Sequence, residues 1–216
     1  MAAKAEFPPE LIEAQDRKLL ALYRQAWDEG AARAGGHLTC RLGCTECCKG
    51  VFEISGLDAW RLRRGLAQLA ARDPEKAREV ADRAREQWAL LAPHFPGDPH
   101  TGNLGHDDLA THAFGERFSH VPCPVLDPAT GACLLYETRP LSCRSFGLPC
   151  RLGEEVLPPC RLNFVTATPA EVEAATVAFD PEDREGELLA LLGNPPDTVV
   201  AAALALGFPG GSEPWE

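Results

Sequence analysis

A chain of 216 residues, 45% hydrophobic and 25% charged, has the composition of a globular protein and the length to bury about 70% of its unfolded surface. Its 32 acidic against 21 basic side chains leave a net charge of −11, which repels phosphate and argues against a nucleic-acid partner. Nineteen glycines and nineteen prolines imply abundant turn and loop, held by something other than ladders of hydrogen bonds.

The N-terminal stretch MAAKAEFPPE lacks the apolar run of about 7–15 residues that an export signal needs. Val199 to Phe208, the longest apolar run, has ten residues, half of a membrane span of about 20. The expectation is a soluble, cytoplasmic protein with no membrane partner.

Residues of about 8 to 34 read as a helix. Ile12, Leu19, Leu20, Tyr23 and Trp27 form its apolar stripe, with Glu10, Asp16, Arg17 and Lys18 outside it. Pro8 and Pro9 suit the first turn, and Gly35-Gly36 ends the helix. Val51 to Ile54 reads as a short strand. Ser55 with Asp58 signals an N-cap for a helix carrying Leu57, Trp60, Leu62, Leu66 and Leu69. Asp73-Pro74 opens the next, with Val80, Ala84, Trp88 and Leu91 on one side; the two make a helical hairpin at about 56–93. From Pro93 to His120 the chain reads as loop, and helical periodicity stays weak until Thr168-Pro169-Ala170-Glu171, a capping box with proline at the first helical position. Helices near 181–193 and 196–206 follow, then a Gly/Pro tail. No repeat is evident. The expected fold is mostly α, with helices framing an irregular, cysteine-rich metal-binding centre and at most short strands. Three segments are expected: an N-terminal helix over 1–35, a metal-binding domain over 36–164, and C-terminal helices over 165–216.

Nine cysteines dominate the chemistry. Four fall within Cys40–Cys48 and five within Cys123–Cys160, with none in the 74 residues between. An odd count in a chain this long does not suit a disulfide scaffold. Cys40-x3-Cys44-x2-Cys47-Cys48 contains the C-x2-C spacing by which one turn of backbone places two sulfurs on one metal. The adjacent Cys47 and Cys48 are expected to diverge, so that Cys48 reaches a second metal or cluster edge or is a buried thiol. In the second group, Asp127-Pro128 and Gly131 mark a tight turn that folds Cys123 back towards Cys133. Arg139, Arg144 and Arg161 sit beside cysteines, where a guanidinium offsets thiolate charge; the alternative is surface salt bridging. Of the histidines His37, His94, His100, His106, His112 and His120, His37 is the best non-cysteine ligand candidate and the rest read as solvated loop residues. Tyr136 and Phe146 are expected to pack around the site.

The first motif, followed downstream by Cys123-Pro-Val-Leu and then Gly131-Ala-Cys133-Leu-Leu-Tyr136-Glu-Thr-Arg139-Pro140-Leu-Ser-Cys143-Arg144-Ser-Phe146, resembles the YkgJ-type cysteine-cluster proteins, a family described as zinc- or iron-chelating. The resemblance covers roughly 36–164. It implies Cys40, Cys44, Cys47, Cys48, Cys123, Cys133 and Cys143 as metal-binding residues, with Cys160 as an eighth; Cys150 falls on no position of the pattern. Its first gap has three residues where the family's motif name has two. A similar cluster occurs in the longer flagellin lysine methylases, as an iron–sulfur centre used in methyl transfer.

Seven or eight thiolates exceed the four that one zinc or one cubane needs. One [4Fe–4S] cluster with spare thiols, two metal centres, or a mixed arrangement all remain open. All-thiolate ligation excludes magnesium and calcium, and the vicinal pair favours an iron–sulfur cluster over zinc. The expected function is therefore an iron–sulfur protein in redox or electron transfer, with a redox or protein partner. The alternative is a structural zinc module mediating protein interaction. Metal storage or delivery is a third role that accessible thiols allow. Cys40-x3-Cys44-x2-Cys47 is also the spacing of radical S-adenosylmethionine enzymes, but Glu46 stands where those have an aromatic, and the strand–helix alternation of their barrel is missing.

Overall fold

The computed structural model describes residues 9–207. In chain order its regular elements are α1 (Pro9–Ala34), β1 (Glu53–Ile54), α2 (Gly56–Arg72), α3 (Pro74–Leu91), β2 (Gly97–Asp98), β3 (Asn103–Leu104), α4 (Asp108–Arg117), α5 (Leu141–Ser145), β4 (Cys150–Leu152), β5 (Glu155–Leu157), α6 (Pro169–Ala175), α7 (Arg184–Leu191), β6 (Thr198–Val199) and α8 (Val200–Ala205). The fold is mostly α. Its strands are two or three residues long and pair as three antiparallel ribbons, β1–β6, β2–β3 and β4–β5. No helix among the described residues is long and apolar enough to cross a membrane.

These elements divide between two compact units. The first joins the chain up to Cys44 with Leu141–Leu191, and the second joins Thr45–Pro140 with the chain from Leu192 onward.

In the first unit α1 is the spine, packed on α5, α6 and α7. Ile12, Leu19 and Tyr23 are buried on one stripe, and Tyr23 stacks on Phe179 with ring centroids 5.3 Å apart. Asp16, expected on the solvent side, is buried as well. Arg33, in the last turn of α1, donates to the carbonyls of Ala174 and Thr176 and so satisfies the C-terminal end of α6. The capping box forms as expected: Thr168 Oγ1 accepts from Glu171 N, and the Glu171 carboxylate accepts from Thr168 N.

In the second unit Ser55 Oγ accepts from Asp58 N and opens α2, while Asp73 accepts from Lys76 N and, with Pro74, opens α3. Leu62 and Leu69 of α2, Val80 and Ala84 of α3, and Val200, Ala203 and Leu204 of α8 share one core. The small residues of α8 let it sit against both helices; Arg63 donates to the Ala203 and Gly207 carbonyls at 2.7 and 2.8 Å and closes its C-terminus. A second cluster is aromatic: Trp88, Phe95, Phe114 and Phe118 meet edge to face with centroids 4.9, 5.7 and 5.1 Å apart in succession.

Several local expectations are corrected. The stretch 93–120, read as loop, holds the β2–β3 ribbon and α4. Only Phe114 of α4 is buried, so the helix has an anchor but no stripe; its one sequence signal is Asp107, whose carboxylate accepts from Ala110 N as N-cap. The helix expected from 196 starts at Val200, because Thr198 and Val199 pair with Ile54 and Glu53. The segment without periodicity before Thr168 contains α5 and the β4–β5 hairpin. Pro8 and the Gly/Pro tail lie outside the described residues.

One short motif does recur. Asp98-Pro99-His100-Thr101-Gly102 and Asp127-Pro128-Ala129-Thr130-Gly131 fold into the same turn. In each, an aspartate oxygen accepts from the amide two residues on, the threonine hydroxyl donates to the other oxygen, and the glycine, at φ +74 and +68, returns its N–H to the aspartate carbonyl at 2.8 Å. These bonds hold both carboxyls below their usual pKa.

Candidate metal centre

Cys47, Cys48, Cys123 and Cys133 belong to the second unit, on segments that are bonded to one another although no three of the thiols stand as a metal-holding group. Glu46–Cys48 is a turn of 3₁₀-helix. There, successive side chains are about 120° apart instead of the 180° of a strand, so adjacent residues can converge. Cys48, next to Cys47 in this turn, perturbs the Cys47 thiol. The Cys123 N–H donates to the Cys48 carbonyl at 2.7 Å, and the Asp127 turn folds Cys123 back on Cys133 through Asp127 N to Ala132 O and Leu134 N to Val125 O. Cys123 and Cys133 also pack against the α2–α3–α8 core, which gives the thiols an apolar floor.

Their electrostatics record this closeness. The hydrogen bond to Cys48 raises the Cys47 pKa most, followed by burial and the Cys48 charge, while the Arg139 guanidinium opposes them. Burial pushes Cys123 up to about 12, with the charges of Cys133 and Cys47 adding to it. Gathered thiols are costly to ionise one by one, and a cation reverses that cost.

Helix α3 holds the segment that carries Cys123. Pro122 and Pro124 flank this cysteine; Gln87 Nε2 donates to the Pro122 carbonyl at 2.6 Å and Arg83 Nε to the Pro124 carbonyl at 2.9 Å. Lys76, on the same helix, pairs with Asp127 at 3.7 Å. Arg83 Nη2 is buried and has no hydrogen-bond partner among the described residues. The Arg139 charge acting on Cys47 suits a donor set that becomes polyanionic when its thiols ionise. None of Arg83, Gln87 and Lys76 was singled out in the sequence; their i, i+4 and i, i+7 spacing is ordinary for the polar margin of a helix.

The other five cysteines belong to the first unit. Cys40 is exposed, and its sulfur accepts from Asn163 Nδ2 at 3.4 Å. Cys160 is buried, and its N–H donates to the Gly147 carbonyl at 3.4 Å. Gly147 adjoins both: at φ +117, a Cβ on it would stand 3.1 Å from Cys40 Sγ and 3.2 Å from Trp27 Cη2. Cys44 donates its N–H to Arg41 O, and Cys143 lies on α5. Cys150 begins β4 opposite Leu157, and burial raises its pKa. Among the described residues no three His, Cys, Asp or Glu side chains stand together as a metal-holding group.

His37 turns to other partners, its ring stacked on Phe164 and its Nε2 3.6 Å from Glu171 Oε1. Tyr136 and Phe146, expected to pack around the site, are 57% and 48% exposed; the Arg139 guanidinium lies over the Tyr136 ring at 3.7 Å. Arg144 is buried in α5 and Arg161 is exposed.

A helical scaffold presenting grouped thiols defines the class, a cysteine-cluster metal-binding protein. The chain belongs to the CxxCxxCC family, whose model, described as "Putative zinc- or iron-chelating domain", matches residues 39–160, more than half of its length. Chelation of zinc or iron is the function this membership carries. No curated protein and no solved structure matches the chain.

Proposed function

We propose that the protein holds an iron–sulfur cluster on Cys47, Cys48, Cys123 and Cys133 and exchanges electrons with a redox partner. The observation that carries the reading is the main-chain bond from Cys123 N to Cys48 O at 2.7 Å, which ties the vicinal cysteines to the Cys123–Cys133 turn on the core. Adjacent cysteines seldom both ligate one mononuclear ion, whereas a polynuclear cluster would give each its own iron. When bound, such a cluster supplies reversible one-electron chemistry. The chain's own part is to back the thiols with the apolar α2–α3–α8 core, to lock Cys123 through the Gln87 and Arg83 bonds on either side, and to bring the Arg139 charge to Cys47. The proposal extends to Cys40, Cys44, Cys143 and Cys160 of the first unit as metal-binding residues.

A structural zinc site is the second reading, favoured by the packing of Cys123 and Cys133 against the core, as befits a closed, water-poor site. Anaerobic purification separates the two. The first expects brown protein containing iron and acid-labile sulfide, with a visible band that bleaches on reduction. Colourless protein with stoichiometric zinc, unfolding when chelator is added, overturns it in favour of the second.

A further inference from the structure

Asn163 lies three residues beyond the family match and is only 4% exposed. It uses all four hydrogen-bonding positions of its amide. Oδ1 accepts from Thr39 N at 3.0 Å and from Thr39 Oγ1 at 2.9 Å; Nδ2 donates to the Gly147 carbonyl at 2.8 Å and to Cys40 Sγ at 3.4 Å. The neighbours fix which way the amide points. A main-chain N–H can only donate and a carbonyl can only accept, so the flipped amide would set donor against donor and acceptor against acceptor. The N–H aimed at the sulfur is therefore imposed by the backbone.

The surroundings hold Asn163 in place. Its own N–H donates to Cys160 O at 2.8 Å. The next residue, Phe164, takes φ +55, rare for a bulky side chain, with its N–H on the His37 carbonyl at 2.9 Å and its ring against the His37 ring. Gly147 leaves room for the sulfur where any side chain would crowd it. So much fixed structure around one exposed cysteine is more than packing requires.

We propose that Asn163 is a positioning residue for Cys40: its amide N–H holds the sulfur in one orientation, preparing an otherwise exposed side chain to bind metal. This rests on the reading of Cys40 as a metal-binding residue.

The test uses reduced full-length protein, treated with iodoacetamide with and without added zinc ion, and peptide mapping of each cysteine. Asn163→Asp keeps the shape but places a carboxylate oxygen where the N–H was. Thr39→Val removes a hydroxyl from the other side of the amide and leaves the N–H···S contact, so it controls for loosening of the loop. With zinc, Cys40 is expected to be protected from alkylation relative to Cys150 in the wild type and in Thr39→Val, and at least about fivefold less in Asn163→Asp. Should Asn163→Asp fail to fold, Asn163→Ser, which removes the donor without adding charge, is expected to lose about threefold of that protection. Equal protection of Cys40 in the Asn163 variant and in Thr39→Val overturns the proposal. Wild-type Cys40 alkylated at full rate with zinc while Cys47 and Cys123 are protected also overturns it, and leaves metal binding by the other cysteines standing.

Discussion

Gly65→Ala sets two effects of opposite sign against each other. Gly65 is buried in the middle of α2. As a helix position it should gain from alanine, by about 1 kcal/mol in intrinsic propensity. The fold forbids that gain. A Cβ there would overlap Thr138 Oγ1, 2.9 Å from the Thr138 Cβ and 3.2 Å from its Cγ2. Thr138 sits in the Tyr136–Thr138 turn, and its hydroxyl donates to the Leu135 carbonyl at 3.4 Å, so turning it away also weakens that bond. Overpacking costs about 1–3 kcal/mol and the hydrogen bond about 1 more, which together outweigh the propensity term. The variant is expected to be less stable than wild type by about 1–3 kcal/mol in urea unfolding followed by circular dichroism. Adding Thr138→Ala removes the oxygen and Cγ2 but not the Cβ, so it should restore part of the loss. A Gly65→Ala protein about 1 kcal/mol more stable than wild type would refute the close approach of α2 to this turn, and with it the placing of Arg139 near Cys47.

Three further outcomes follow. Cys47→Ser and Cys123→Ser should each lose most bound metal, while Cys150→Ser, whose sulfur begins the β4–β5 hairpin, keeps it; elemental analysis of the three side by side decides. Gly147→Ala should cost about 1–3 kcal/mol, since φ +117 strains any side chain and the new methyl crowds Cys40 and Trp27; unfolding at the wild-type midpoint contradicts this. Glu53 and Asp197 lie diagonally across the β1–β6 pair; partial burial, then for Glu53 the Asp197 charge, raises both pKa values above 4.5 and 3.8. The folded state therefore holds protons that the unfolded state has lost, and stability falls as pH rises from about 4 through the raised values. Asp197→Asn should add about 0.5 kcal/mol at pH 7 and nothing near pH 4, and urea midpoints that shift equally at both pH values would count against it.

What the sequence makes legible is what is local. Ser55, Asp73 and Thr168 cap helices where their side chains predict, and the stripes of α1, α2 and α3 face the cores their spacing implies. The Asp127 turn brings Cys123 to Cys133 for the same reason, a short motif satisfying its own backbone. Helix α4 escapes this reading because one phenylalanine makes no period; it is held by Phe95 and Phe118, which are not its own residues. Asn163 escapes because its four partners come from Thr39, Cys40 and Gly147, over a hundred residues and sixteen residues away.

The vicinal cysteines carry the deeper lesson. Cys47 and Cys48 stand in a single turn of 3₁₀-helix, and the Cys123 N–H on the Cys48 carbonyl, 75 residues away in sequence, ties down the end of that turn. The Cys123 segment is in turn held by α3 through Gln87 and Arg83. The placing of these cysteines in this chain is thus set by bonds between distant segments, and helix α3 serves to hold the segment that carries Cys123. It follows that removing the Gln87 and Arg83 side chains, which bond the carbonyls on either side of Cys123, should lower bound metal in elemental analysis as removing one of the cysteines does.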